Sequence, residues 1–182
     1  MRTRKAILPD AGHIHDLISA YSGDGTLLPR TLPEICENVR DFVVLEESDG
    51  KIIGCGALHL YGTHLAEIRS ITVAPRTQGK GGGGMLVKAL LAEAKRHRVA
   101  CICLFTRKPT FFAGQGFSVA QREDLPDKIH KDCHACPRFH CCDEVAMVRG
   151  DLPKFAILPE PENWLVKLQG WAPNAGDSSR TS

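Results

Sequence analysis

Apolar residues recur along this chain with two different spacings, so stretches typical of helices and of strands follow one another. Between residues 10 and 21 the apolar positions are three or four residues apart, which predicts an amphipathic helix that Asp10 can cap. Runs typical of strands follow at Phe42 to Glu46, Lys51 to Tyr61 and Leu65 to Val73, separated by turn residues. A long amphipathic helix is predicted from about Gly82 to Arg98, with Glu93 on the face exposed to water.

Shorter segments complete the predicted order of elements. Thr31 and Glu34 are spaced as a capping box, which predicts the start of another helix. Ala100 to Phe105 is almost wholly apolar, as expected of a strand in the middle of a sheet, and Val145 to Val148 is predicted to be a late strand. Together the elements predict an α/β sandwich around a mixed sheet.

The domain organisation follows from length and from a change in composition. We expect one domain over residues 1–150, with a cysteine-rich insertion at about 122–143, and a C-terminal extension over 151–182. Within the extension, Phe155 to Trp171 is expected to pack back on the domain, and Asn174 to Ser182 to be disordered.

Composition and charge exclude several classes of partner. With 43% hydrophobic residues and a net charge of +2, the chain does not demand nucleic acid or an anionic membrane as partner. No apolar run is long enough to span a bilayer, and the first residues lead into no signal-peptide core. The eight cysteines are therefore expected to be reduced thiols in the cytoplasm.

A glycine-rich loop joins the third strand to the long helix. Five of the six positions from Gly79 to Gly84 are glycine. Such a backbone comes close to a ligand with its N–H groups outward, and the helix N-terminus behind it adds partial positive charge. The loop is thus predicted to bind a phosphate or pyrophosphate; a flexible linker is the alternative.

At these residues the sequence resembles the GNAT superfamily of N-acetyltransferases. The acetyl-CoA motif of that superfamily is matched by Gln78, Gly81 and Gly83, and its second motif by the stretch from Phe111 to Gly116 and Phe117. The resemblance covers roughly residues 2 to 149. It implies the GNAT fold, a mixed and mostly antiparallel central sheet flanked by helices, with acetyl-CoA as co-substrate.

Seven further stretches carry a narrower resemblance: Leu27 to Thr31, Gly54 to Leu58, Glu67 to Ser70, Leu104 to Arg107, Asp132 to Cys133, Cys136 to Pro137 and Cys142 to Met147. They resemble the amino-acid N-acetyltransferases of arginine biosynthesis, in particular the stand-alone type of N-acetylglutamate synthase. This resemblance implies a small-molecule amino-acid substrate, most simply L-glutamate, with N-acetyl-L-glutamate as product; a homodimer is left open. The alternatives are an acetyltransferase for another small amine or a protein amine, and a non-catalytic acetyl-CoA sensor.

Glu67 is the candidate general base, because the amine of an amino acid is mostly protonated at pH 7. It lies eleven residues before Gln78, a spacing at which the superfamily often has its base. Strand alternation predicts that Glu67, Arg69, Ile71 and Val73 share one face, and an apolar cleft would raise the pKa of the carboxyl. The alternative is an exposed strand carboxylate.

The remaining candidate residues follow from the two resemblances. Many members protonate the leaving thiolate with a tyrosine that this region lacks, so Thr106 or a water is expected to serve. The residues expected to hold acetyl-CoA are Ile71, Thr72, Val73, Gln78, Gly79, Lys80, Gly81, Gly82, Gly83 and Gly84.

The acceptor is expected to bind through arginines, since a guanidinium binds carboxylate with two parallel hydrogen bonds. Arg30 is the first candidate, on a connector beside Leu28, followed by Arg69 and Arg107. Each has the alternative of a surface arginine. The cysteine-rich segment is interpreted as a thiol-rich loop with no metal assigned, because adjacent cysteines rarely bind one ion; structural zinc is the alternative.

Overall fold

A central sheet of seven strands organises the computed structural model, which describes residues 1–23, 25–134, 136–157 and 165–167. Its strands are β1 (Arg2–Lys5), β2 (Phe42–Glu46), β3 (Ile52–Leu60), β4 (Leu65–Val73), β5 (Cys101–Thr106), β6 (Ser118–Val119) and β7 (Val145–Gly150). The helices are α1 (Ala11–Ser19), α2 (Leu32–Glu37), α3 (Gly82–Arg96), α4 (Pro109–Ala113) and α5 (Pro126–Lys128). A separate hairpin pairs β8 (Phe155–Ile157) with β9 (Leu165–Lys167).

The strand order is β1-β2-β3-β4-β5-β7-β6, and every neighbouring pair is antiparallel except β4 and β5. These two strands are parallel because α3 carries the chain back across the sheet between them. The predicted α/β class, with a mixed and mostly antiparallel sheet flanked by helices, is therefore confirmed.

Helices cover both faces of the sheet, and each face has its own apolar cluster. Leu86 and Leu90 of α3 are fully buried against one face. Ile14 and Ile18 of α1, with Ile35 of α2, are buried against the other. None of the helices described is both long enough and apolar enough to cross a bilayer.

Two polar residues near the helices behave differently from their sequence pattern. Glu93, which the pattern of α3 exposes to water, is only 7% exposed and forms an ion pair with Lys5 at 2.6 Å. Asp10 precedes α1 without capping it, because its carboxylate is bound by Arg4 at 2.6 and 3.0 Å. That bond holds the pKa of Asp10 below its usual range. At α2 the predicted capping box is present.

The start of the C-terminal extension packs on the sheet end. The ring of Phe155 lies 4.4 Å from that of His64, Ala156 is fully buried, and the Ile157 amide donates to Asp127. The predictions for Trp171 and for Asn174 to Ser182 lie outside the described residues.

Candidate active site

A cleft opens where β4 and β5 diverge. The two strands pair only from Leu65 to Glu67 and from Cys101 to Cys103, although β4 continues to Val73 and β5 to Thr106. Beyond these pairs, the described residues of the two strands are not paired with each other. The edge that β4 turns toward β5 can therefore pair with an extended ligand.

A β-bulge in β4 reverses the strand's alternation inside this cleft. The register with β3 shifts there, and Ser70 takes a left-handed φ of 52°. Because of the extra residue, Ile71 and Val73 pack in the apolar cluster beneath α3. Glu67 and Arg69 precede the bulge and point to the opposite face. The prediction that these four residues share one face is therefore wrong.

The glycine loop lies at the mouth of the cleft and leads directly into α3. Gly79 and Gly81 have φ values of 76° and 84°, in the region that favours glycine. Gly82 is buried, and a Cβ there would come within 2.6 Å of Leu45 Cδ2, so the start of α3 lies close against the sheet. The Met85 amide donates to Gly81 at 3.1 Å, and the amides before it in the first turn are left for an anion.

The two sequence motifs of the first resemblance meet at this loop. A Cβ on Gly83 would lie 3.2 Å from the ring of Phe111, and one on Gly84 would lie 3.7 Å from the amide of Gln115. Of the two basic residues nearby, Arg76 forms an ion pair with Glu47 at 3.1 Å, whereas Lys80 is exposed. Arg76 is thus engaged by Glu47, whereas Lys80 lies exposed beside the backbone amides of the loop.

Side chains hold the end of β4 beside the loop. The Tyr21 hydroxyl donates to the carbonyl of Val73 at 2.9 Å, and the Gln78 amide donates to the Tyr21 oxygen at 2.8 Å. Gln78 Nε2 also lies 3.3 Å from the Val73 carbonyl. A ligand that pairs with β4 at this point would compete with Tyr21 and Gln78 for that carbonyl.

Glu67 lies in a polar pocket and not in the apolar cleft expected for it. Its side chain is 4% exposed, and its Oε1 atom lies 2.7 Å from Nζ of Lys128. Its Oε2 atom accepts the Tyr61 hydroxyl at 3.0 Å. Since both oxygens have donors, the carboxylate is fixed in orientation.

The network continues from Lys128 through Asp132 to Arg69. Lys128 Nζ lies 2.9 Å from Asp132 Oδ2, which lies 3.7 Å from Arg69 Nη1, and Arg69 Nη2 is 3.1 Å from Nδ1 of His59. Burial lowers the pKa of Lys128, but Glu67 and Asp132 outweigh burial and raise it above its ordinary value. Burial raises the pKa of Asp132, and Lys128 and Arg69 more than offset this. Charges of opposite sign thus alternate through the pocket.

Arg107 lies in a different environment from Arg69. Its Nε donates to Asp143 at 2.8 Å, and its Nη1 donates to the Gly25 carbonyl at 2.7 Å. The bond to Asp143 raises the pKa of Arg107. Both ends of the guanidinium are engaged, so Arg107 connects two loops in this structure.

The guanidinium of Arg30 has fewer hydrogen-bond and ion-pair partners among the described residues than those of Arg69 and Arg107. It is half-buried and forms no hydrogen bond or ion pair with another described residue. Its charge contributes to holding the pKa of Asp132 below the ordinary value, after the larger effects of Lys128 and Arg69. Leu28, two residues earlier, is 39% exposed. Arg69 therefore lies at Asp132 and Arg107 at Asp143, while Arg30 acts on Asp132 through its charge.

Thr106 ends β5 with its hydroxyl partly engaged. Its side-chain oxygen accepts the Lys108 amide at 2.9 Å, and the residue is 8% exposed. A hydroxyl that accepts in this way still has its own proton to donate. Its role as proton donor stays a prediction.

The cysteine-rich segment contributes charged groups to the site. Among the described residues, no group of three or more His, Cys, Asp or Glu side chains is arranged to hold a metal ion. Cys142 Sγ accepts from Arg122 at 3.2 Å.

The sequence analysis predicts no role for Lys128 and Asp132, which the structure places beside Glu67 and Arg69. Their separation of four residues, after Leu125-Pro126, is typical of neighbours on one helical face.

A protein-family model matches the part of the chain that contains the glycine loop and the second motif. The model of the acetyltransferase (GNAT) family matches residues 13–117, more than half of the 182-residue chain. The chain belongs to the GNAT family. The predicted family and fold are thereby confirmed, and so is acetyl-CoA as the co-substrate that the family uses.

The individual relatives are named as N-acetyltransferases or amino-acid acetyltransferases. An uncharacterized N-acetyltransferase of Chlorobaculum tepidum is 38% identical over 146 residues, which are 80% of this chain and 94% of that protein. An amino-acid acetyltransferase of Ralstonia nicotianae is 39% identical over 132 residues, 70% of this chain but 29% of the relative. This GNAT chain therefore spans less than a third of that relative.

A solved structure extends the comparison. N-acetylglutamate synthase of Neisseria gonorrhoeae, complexed with coenzyme A and N-acetyl-glutamate, superposes with a TM-score of 0.74 at 27% identity. The match covers 81% of this chain and 34% of that one. Lys128 and Asp132 follow the stretch matched by the GNAT family model, so they come from a part of the chain that the family model does not describe.

Proposed function

We propose that this GNAT enzyme transfers the acetyl group of acetyl-CoA to the α-amino group of an amino acid, with L-glutamate as the first candidate acceptor. The observation that carries the proposal is the guanidinium of Arg30, which forms no hydrogen bond or ion pair with another described residue and whose charge acts on Asp132, the partner of Arg69. A guanidinium that no described carboxylate binds directly is suited to the α-carboxylate of an amino acid. The relatives' names support this acceptor class.

The reaction follows from the positions of these residues. The glycine loop and the first turn of α3 bind the pyrophosphate of acetyl-CoA, and the free edge of β4 pairs with its pantetheine arm. The acceptor amine loses a proton toward Glu67 and attacks the thioester carbonyl, with a β4 backbone amide polarising the oxygen. The tetrahedral intermediate collapses, and the thiolate leaves and takes up a proton from Thr106 or a water. With glutamate the product is N-acetyl-L-glutamate.

An acceptor screen tests the proposal. Release of CoA from acetyl-CoA is measured with each of the common amino acids in turn, with polyamines and a lysine peptide alongside. We expect an amino acid to support turnover well above the rate without acceptor. Turnover with polyamines or the peptide alone would support an acetyltransferase of another acceptor class. Acetyl-CoA binding in calorimetry without turnover on any acceptor would support a sensor.

Arg30 gives a prediction on acceptor binding. In Arg30→Gln the KM for the amino acid is expected to rise by about 10-fold to 100-fold, because a hydrogen bond between charged groups contributes about 1.5–3 kcal/mol. The KM for acetyl-CoA is expected to stay unchanged. Arg40→Gln is the matched control, since Arg40 is exposed and on the short helix before β2. An unchanged acceptor KM in Arg30→Gln would remove Arg30 from the site.

A further inference from the structure

Asp132 places a negative charge beside Arg69, a candidate ligand of the acceptor's side chain. Its Oδ2 atom lies 3.7 Å from Arg69 Nη1 and 2.9 Å from Lys128 Nζ, and its side chain is 15% exposed. The charge of Arg30 acts on the same carboxylate. Arg69 is thus already partly neutralised by a group of the protein.

The surrounding residues keep this carboxylate ionised and in place. Lys128 is 7% exposed and is itself fixed by Glu67 at 2.7 Å, so the cation beside Asp132 is rigidly held. Lys128 and Arg69 keep the pKa of Asp132 low despite burial. A fixed anion in a pocket of low solvent exposure acts strongly on a second anion that enters it.

We propose that Asp132 determines which charge class of amino-acid side chain the site accepts. The inference rests on the proposed function and deepens it. A side-chain carboxylate that reaches Arg69 meets the repulsion of Asp132, whereas a side-chain amide of the same shape does not. Asp132 therefore limits the preference of the site for an acceptor with a side-chain carboxylate. The cysteine-rich segment that carries Asp132 thus affects the choice of acceptor, next to the part of the chain that the GNAT family model matches.

Glutamate and glutamine provide the measurement, because they differ in charge and hardly in shape. The quantity is the ratio of kcat/KM for glutamate to kcat/KM for glutamine, in the native chain and in Asp132→Asn. Asparagine keeps the size and can still accept a bond from Lys128. We expect the ratio to rise at least tenfold, mainly through a lower KM for glutamate.

Two further variants separate charge from structure. Asp132→Glu keeps the charge and is expected to leave the ratio within about threefold of the native value, since the repulsion is retained. Glu123→Gln makes the same change of carboxylate to amide at an exposed position of the same segment and is expected to leave both kcat/KM values unchanged. Thermal melting of each variant checks that the fold is intact.

The outcomes distinguish this inference from the proposed function. An unchanged or lower ratio in a folded Asp132→Asn overturns the inference and leaves the proposed function standing. One form of this outcome is an equal loss of kcat/KM for glutamate and glutamine, which would mean that Asp132 binds a group common to both. If Asp132→Asn does not fold, the ratio in Asp132→Glu decides: a change of tenfold or more overturns the inference, and a native ratio supports it. A native chain that acetylates no amino acid overturns the proposed function, and the inference with it.

Discussion

Replacing Glu67 by glutamine is expected to lower kcat by about 10²-fold to 10⁴-fold, which is the usual contribution of a positioned general base. The amide keeps the shape of the side chain and removes its ability to take up the proton of the amine. Binding of acetyl-CoA is expected to be unchanged in calorimetry, because the glycine loop and the first turn of α3 hold the nucleotide end. Steady-state release of CoA gives kcat.

A second buried glutamate serves as the control for this variant. Glu93 is 7% exposed and forms an ion pair with Lys5 at 2.6 Å, but it lies on α3 away from the cleft. Glu93→Gln thus removes a buried and paired carboxylate without touching the proposed chemistry, and we expect nearly native kcat. If Glu67→Gln loses no more turnover than Glu93→Gln, then Glu67 is a structural residue and the base is elsewhere.

The parts of the site that sequence predicted well are those set by local chemistry. Strand β4 has the predicted bounds, and the capping box at Thr31 and Glu34 is present. The glycine loop ends in a helix that begins at Gly82, as predicted. Each of these features depends on residues within a few positions of one another, so a pattern of spacing is sufficient to predict it.

The orientation of residues in β4 could not be predicted because it depends on a single extra residue. Nothing in the letters around Ser70 marks a bulge, since Ser70 is neither glycine nor proline. The bulge forms where β3 and β4 pair, and that pairing joins distant parts of the chain. A one-residue shift was enough to turn Ile71 and Val73 to the other face.

The electrostatics of Glu67 were mispredicted for a related reason. The sequence predicts Glu67 in an apolar cleft, but its counter-charge comes from Lys128, which is 61 positions later in the chain. The segment that carries Lys128 was interpreted through its cysteines, and its charged residues received no role. The sequence around a buried carboxylate does not show whether its pocket is apolar or contains a paired cation, because the cation can come from a distant part of the chain.

Lys128→Met is expected to lower the free energy of unfolding by about 3–5 kcal/mol near neutral pH, the usual result of breaking a buried ion pair on one side. Methionine fills the space of the lysine stem but leaves the carboxylate of Glu67 buried without its cation; the side chains of the pair are 7% and 4% exposed. Denaturant unfolding monitored by circular dichroism gives the value. Lys5→Met is the comparison variant, because Lys5 pairs with Glu93, which is also buried, but Lys5 is itself 40% exposed, and we expect a smaller loss than in Lys128→Met.

The dependence on pH tests whether that loss is electrostatic. Despite burial, Lys128 helps to hold the pKa of Asp132 below its usual range, so in the native chain this carboxylate contributes stability above its unfolded pKa that is lost as the pH falls. Lys128→Met lacks much of that contribution, and the deficit is therefore expected to shrink as the pH falls below about 4. The double variant Glu67→Gln with Lys128→Met leaves no unpaired charge from the Glu67 pair and is expected to recover part of the loss at neutral pH. A deficit that is constant with pH and additive in the double variant would mean that Lys128 acts through packing, and the electrostatic link between the cysteine-rich segment and Glu67 would not hold.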